Sequence, residues 1–155
     1  MNFCIAGLDP GPFLPLFALS GAALGARGVQ RVPVTERPAA PCRVTLDDAE
    51  IGEEVLLLSY EHQPAATAYR QQGPIFVRNT AARFEAFDAI PPALMRRMLS
   101  LRGYDDAGAM VEADIIDGVA AGDLIKRMLR NESVAYIHAH YARRGCFAAR
   151  IDRSS

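Results

Sequence analysis

The chain has 155 residues, a length typical of one domain, and such a chain buries roughly 70% of its unfolded surface without a disulfide or structural metal. Half of the residues are apolar and 23% are charged, an ordinary globular composition that excludes a disordered chain. The formal net charge of −1 excludes an overall basic footprint, so nucleic acid is not an expected partner.

The first third of the chain predicts a strand, a short helix and an extended segment. Residues 2–8 (NFCIAGL) have the pattern of a short strand, and Ser20 is a typical N-cap for a helix that ends near Gly25. Residues 29–41 contain three prolines and are predicted to be extended or loop. The apolar residues 13–26 lack the positively charged segment that begins a signal peptide. We therefore expect a cytoplasmic protein without a membrane partner.

The middle of the chain contains the clearest strand signals. Residues 42–46 and 54–62 are predicted to be strands. The second includes the continuous apolar run VLLL at 55–58, which indicates burial on both faces. A loop over 63–74 is predicted to lead into another strand at 75–78.

The last third predicts two helices and two hairpins. Pro91-Pro92 opens a helix whose apolar face comprises Leu94, Met95, Met98 and Leu99. Strands at 100–104 and 109–116 flank a DDAG turn, and a second helix is predicted over 118–130. Strands over 134–141 and 146–152 are joined by ARRG. Because strands and helices do not alternate regularly, we predict an α+β fold with a mainly antiparallel sheet and about three helices, forming one domain over residues 1–155.

Two of the three histidines lie one residue apart in the stretch YIHAHYARRGC, at His138 and His140. Side chains two apart on a strand share a face, so both imidazoles can point to one site. A catalytic zinc ion needs three protein ligands and an open position, and His62 is the remaining histidine. A zinc-dependent, hydrolase-like enzyme using His62, His138 and His140 is therefore one hypothesis. The simpler interpretation is hydrogen-bonding histidines with no metal and no other cofactor.

Arginines near these histidines support a second hypothesis, which we favour. Arg150 lies on the predicted partner strand, Arg143 lies in the connecting turn, and Arg43 lies on a strand that could be adjacent. Guanidinium and imidazole groups together suit a carboxylate or phosphate. The expected function is binding of a small anion in a pocket formed by His62, His138, His140 and Arg150, with Arg43 or Arg143 near its mouth. In the simpler alternative, Arg143 is solvated and Arg150 pairs with Asp152.

Two further hypotheses use the same segment of the chain. Cys146 follows two arginines, and cationic neighbours make a thiol more reactive, although free cysteines are usually small buried apolar residues. In a non-catalytic interaction module, the polar face of the 134–141 strand would meet a partner or a second copy of the chain, giving a homodimer. The sequence does not decide whether a bound ligand is chemically changed.

Three segments carry a resemblance to a known family. They are FCIAGLDPGPF near the start, PCRVTLDDAEIGEEVLLLSYEHQP in the middle and YIHAHYARRGCFAARI at the end. With these segments in this order, the chain resembles a family of short bacterial proteins catalogued as a domain of unknown function. The resemblance implies one complete domain but no activity, substrate, cofactor or site residue. It also implies a small polar residue at position 141, where this chain has Tyr141.

Overall fold

The computed structural model describes residues 2–155. Its regular structure consists mainly of two antiparallel sheets and three α-helices. The larger sheet has the strand order β5-β1-β9-β8-β6-β7 and the smaller has the order β2-β3-β4. The predicted α+β fold with a mainly antiparallel sheet is confirmed. The strands are β1 Asn2–Ala6, β2 Gln30–Pro33, β3 Glu54–Gln63, β4 Gln71–Val77, β5 Glu85–Phe87, β6 Met98–Tyr104, β7 Met110–Asp117, β8 Tyr136–Tyr141 and β9 Phe147–Ser154.

The three helices are short, and α3 covers one face of the larger sheet. Apolar residues spaced along α3 pack on Ile137 and Ala139 of β8 in the main core. With nine residues, α3 is the longest of the three, and no helix within residues 2–155 is long and apolar enough to cross a membrane. Their bounds are α1 Gly21–Gly25, α2 Pro92–Met95 and α3 Ala121–Leu129.

The smaller sheet lies on the opposite face of the larger one, and β3 is its central strand. Val55 and Leu56 are both fully buried, and they belong to separate apolar clusters. Successive side chains of a strand point to opposite faces, so β3 is covered on both sides. This confirms the predicted burial for Val55 and Leu56, while Leu57 and Leu58 of the same run are half-buried.

The predicted strand over residues 42–46 is wrong, because this segment is a tight turn. The backbone N–H of Leu46 donates to the carbonyl of Cys42 at 3.0 Å, and that of Cys42 donates to the carbonyl of Asp47 at 2.9 Å. Leu46 has a φ of 51°, in the left-handed region, which ends any extended conformation. Val44 and Leu46 are buried in two different clusters, so their apolar pattern reflects burial and not strand pairing.

Two other boundaries differ from the prediction. The helix that opens at Pro92 ends at Met95, and Met98 begins β6. Met95 and Met98 are each 45% exposed, so neither fills the core as their spacing suggested. Strand β4 begins at Gln71, inside the predicted loop, and it includes Pro74 because an edge strand tolerates the missing N–H.

Candidate functional site

Strand β8 places His138 and His140 on the face of the larger sheet that meets the smaller sheet. Ile137 and Ala139 alternate with them and lie in the core beneath α3. In register, His138 is paired with Arg102 of β6 on one side and with Arg150 of β9 on the other. The prediction that the two imidazoles share one strand face is therefore confirmed.

His62, near the end of β3, brings a third imidazole to the same place. Its ring centroid lies 5.0 Å from that of His140 and 5.9 Å from that of His138, and the His138 and His140 centroids are 6.4 Å apart. Phe147 stacks on the His62 ring at 5.0 Å. We call His62, His138 and His140 the histidine cluster. Its members are 8%, 2% and 0% exposed, respectively.

Hydrogen bonds fix the tautomers of two of these rings. His140 donates from Nδ1 to the carbonyl of Gly145 at 2.9 Å, so the lone pair of its neutral ring is on Nε2. His62 donates from Nε2 to Oε1 of Gln71 at 3.2 Å, so its lone pair is on Nδ1. Both of these nitrogens, and Nδ1 of His138, are buried without a hydrogen-bond partner. The cluster therefore holds three unpartnered imidazole nitrogens.

Burial keeps the cluster uncharged. It is the main cause that lowers the pKa of His138 to about 3, and the neighbouring His62 and His140 lower it further. Burial also lowers the pKa of His140 to about 4, against the opposing effect of the bond to Gly145. The pKa of His62 is lowered by burial too, partly offset by its bond to Gln71. At neutral pH the three rings are neutral.

The surroundings of the cluster do not suit a metal cation. The charged side chains that depress these pKa values are arginines: Arg102 acts on all three rings, Arg43 on His140, and Arg150 on His138. Within residues 2–155, no group of three His, Cys, Asp or Glu side chains is arranged to hold one metal ion. The rings converge as the zinc hypothesis requires, but the charged side chains that act on them are cationic.

Arg43 is the most unusual charged residue near the cluster, because it is 2% exposed and forms no ion pair with any carboxylate in residues 2–155. It donates from Nε to the carbonyl of Phe147 at 2.7 Å, from Nη1 to the carbonyl of Pro41, and from Nη2 to Sγ of Cys146 at 3.2 Å. Its Cζ lies 5.1 Å from the ring centroid of Tyr141. A guanidinium has five N–H donors, so two remain beyond these three contacts.

A cavity of about 300 Å³ lies between the smaller sheet and the turn that joins β8 to β9. We call it the Arg43 cavity. Its size is at the lower end for small-molecule sites, so it suits a small ligand. The lining residues used below are Arg43, His62, Gln71, Arg144, Cys146 and Phe147.

The structure brings together only some of the residues that the sequence singled out. Arg43, His62 and Cys146 line the cavity, and His138 and His140 lie behind His62 in the cluster. Arg150 does not line it, since its guanidinium pairs with Asp152 at 2.9 Å and lies over the ring of Tyr136. Arg143 is exposed and also lies outside the cavity lining.

Of the six lining residues named above, sequence reasoning missed Phe147 and two polar residues, Arg144 and Gln71. Arg144 follows Arg143 in the same turn, and only the turn geometry decides which of the two reaches the cavity. Gln71 was placed in a loop, but it begins β4 and accepts from His62. No sequence signal distinguishes these two residues from other surface polar residues.

The model of one protein family matches residues 39–153. This family is described as "Protein of unknown function (DUF1203)". The chain belongs to the DUF1203 family. No curated protein and no solved structure matches the sequence.

In this DUF1203 chain, the matched region contains every residue of the histidine cluster and of the Arg43 cavity named above. Strand β1 lies outside the match, although it is paired with β5 and β9 in the larger sheet. The candidate site is therefore located within the family domain, and the residues before position 39 complete the sheet around it.

Proposed function

We propose that this protein binds a small carboxylate or phosphate anion in the Arg43 cavity. The observation that supports this most strongly is a guanidinium that lines a cavity, is almost fully buried and has no acidic partner. A buried charge without a counter-charge is costly, and an anion in the cavity would remove that cost. Two free N–H groups of Arg43 and the guanidinium of Arg144 would provide charge-assisted hydrogen bonds.

The other functional hypotheses have less support from the geometry. A zinc-dependent hydrolase would need its cation among Arg43, Arg102 and Arg150, whose charges repel it. An interaction module would need the polar face of β8, but β3 of the same chain already covers His138 and His140. A second copy of the chain would have to dock on another surface.

The proposal extends to the setting in which the protein works. Cys4, Cys42 and Cys146 are all free, which a reducing compartment favours, and the resemblance is to bacterial proteins. The setting that fits these features is the bacterial cytoplasm, with a small anionic molecule and neither a membrane nor a nucleic acid as the partner.

Thermal unfolding with added sulfate tests the proposed binding, since sulfate has the charge and shape of a phosphate. At matched ionic strength, sulfate is expected to raise the Tm of the wild type above its value in chloride. Near saturation the gain is about 3 kcal/mol, or roughly 5–10 °C for a domain of this size. The rises in Tm caused by phosphate and by acetate, measured in the same way, would show whether phosphates or carboxylates bind more tightly.

Neighbouring arginines provide a matched control for this experiment. Arg144→Ala is expected to weaken sulfate binding about tenfold or more, because it removes one charged hydrogen-bond donor from the cavity. Arg143 is exposed like Arg144 but does not line the cavity, so Arg143→Ala removes the same charge and is expected to leave the affinity unchanged. Arg43→Met, which keeps an unbranched apolar stem but removes the guanidinium, is expected to abolish the sulfate-dependent rise. Equal affinity losses in Arg143→Ala and Arg144→Ala would contradict binding in the cavity.

A further inference from the structure

The three unpartnered nitrogens of the histidine cluster are buried between the two sheets. His62 Nδ1 and His140 Nε2 carry lone pairs, and the two ring centroids are 5.0 Å apart. Buried polar atoms in native proteins nearly always have a partner, so each exception needs an explanation. A metal ion, a water molecule or a proton could each satisfy these lone pairs.

The charges around the cluster decide between these explanations. As described above, arginines repel a metal ion, and they repel a proton on the cluster for the same reason. A ligand of Arg43 and Arg144 would bind beside the cluster, because both arginines line the same cavity as His62. An anion bound there would place a negative charge next to His62 and would offset the charge of Arg43, which acts on His140, so a proton on the cluster would become much less costly.

We propose that an anion enters the Arg43 cavity together with one proton, which the histidine cluster takes up. This inference rests on the proposed anion binding and specifies how that site is regulated. The proton comes from solvent and forms an N–H bond on His62 Nδ1, and no other bond is made or broken. The new N–H can donate to the backbone carbonyl of Tyr60, which already acts to raise the pKa of His62.

Every element packed around His62 contributes to this coupling. Gln71 of β4 holds its Nε2–H, and Arg102 of β6 opposes its protonation. His138 and His140 of β8 lie against its ring, and Phe147 of β9 stacks on it. Among these residues there is no carboxylate to neutralise a proton on the cluster before the anion arrives. The ligand itself supplies the missing negative charge.

Coupled uptake of one proton makes the affinity depend on pH with a known sign. The free cluster has a low proton affinity and the anion-bound cluster a higher one, so binding weakens as pH rises between the two pKa values. The affinity for a non-titrating anion is expected to fall by up to about tenfold per pH unit in that range. Arginine alone would give an affinity that is independent of pH near neutrality.

Isothermal titration calorimetry with sulfate measures the proton directly, because sulfate itself does not titrate at these pH values. Titrations at about pH 5.5, in two buffers that differ in ionisation enthalpy, give the number of protons taken up with each sulfate. For the wild type we expect uptake that approaches one proton. His62→Gln, which keeps Arg43 and Arg144, is expected to bind sulfate with much less uptake. Sulfate binding without proton uptake by the wild type would overturn the inference while leaving the proposed function intact.

A second measurement on the wild type avoids dependence on the fold of the variant. In ¹⁵N NMR spectra, the imidazole nitrogens of His62 are expected to move from neutral to protonated shifts when sulfate is added at the same pH. Unchanged shifts at saturating sulfate would also overturn the inference. If sulfate fails to bind at all, the proposed function itself is wrong and the inference falls with it.

Discussion

Asp48→Asn is expected to lower the free energy of unfolding by about 2–3 kcal/mol, because it removes the buried carboxylate that pairs with the partly exposed Arg96 and Arg97. The Asp48 side chain is 0% exposed. Its carboxylate accepts from Arg96 at 2.9 Å and from Arg97 at 3.0 Å. Asparagine keeps the shape but loses the charge, which leaves Arg97 uncompensated. Urea denaturation at neutral pH, with the m-value compared between proteins, would measure the loss.

Asp47 is the matched control for this substitution. It is adjacent in sequence and also pairs with Arg96, but its side chain is 33% exposed. Asp47→Asn is therefore expected to cost less than about 1 kcal/mol, as is usual for solvated ion pairs. Equal losses of unfolding free energy in the two variants would contradict a special role for the buried carboxylate of Asp48. These ion pairs matter for the site because they connect the chain next to the Arg43 turn with Arg96 and Arg97, which lie between α2 and β6.

Acidification is expected to destabilise the protein through the histidine cluster. The pKa values of His138 and His140 are about 3 and about 4 in the folded chain, against 6.5 for an ordinary histidine. The unfolded chain thus binds more protons between these values, so stability is complete above pH 6.5 and is lost as pH falls toward 4. At about 1.4 kcal/mol per pH unit for each ring, the fall from pH 6.5 to about pH 4 accounts for a loss on the order of 6 kcal/mol from the two rings together.

His138→Phe separates this effect from the acid titration of carboxylates. Ion pairs with arginines lower the pKa values of Asp47 and Glu53, so these groups also contribute to acid unfolding. Both proteins share those carboxylates, and their contribution cancels in the comparison. Phenylalanine fits among the rings of Tyr104, Tyr136 and Phe147. Between pH 7 and about pH 4.5, the part of the unfolding free energy that depends on histidine protonation is expected to fall about half as much in the variant as in the wild type. Urea denaturation at each pH measures this fall. An unchanged pH dependence would mean that His138 is protonated normally in the folded protein.

The histidine part of the site could be predicted from the sequence because strand alternation is a local rule. This rule places His138 and His140 on one face of the strand and Tyr141 on the other. In the structure the Tyr141 ring is buried against Arg43 and Arg97. The convergence of His62 was only a hypothesis, because it depends on how two sheets pack. Contacts between separate sheets have no signature in residue spacing.

The arginine part of the site could not be predicted, for three physical reasons. Arg43 lies in a turn that is closed by local hydrogen bonds and buried contacts. The apolar residues next to it have the spacing of a strand, although the segment is not one. Arg150 is paired in register with His138. Its guanidinium donates instead to Asp152, which lies two residues further along the same face of the strand. The choice of Arg144 over Arg143 depends on the turn conformation, including the positive φ of Gly145. None of these features follows from periodicity.

Anomalous diffraction from crystals soaked in selenate would locate an anion bound at Arg43. Selenate has the charge and shape of sulfate, and its selenium gives an anomalous signal that water does not give. We expect an anomalous peak inside the Arg43 cavity, within hydrogen-bonding distance of the Arg43 and Arg144 guanidinium groups. A cavity without selenium, with peaks only beside exposed residues such as Arg143 or Arg150, would contradict binding at Arg43.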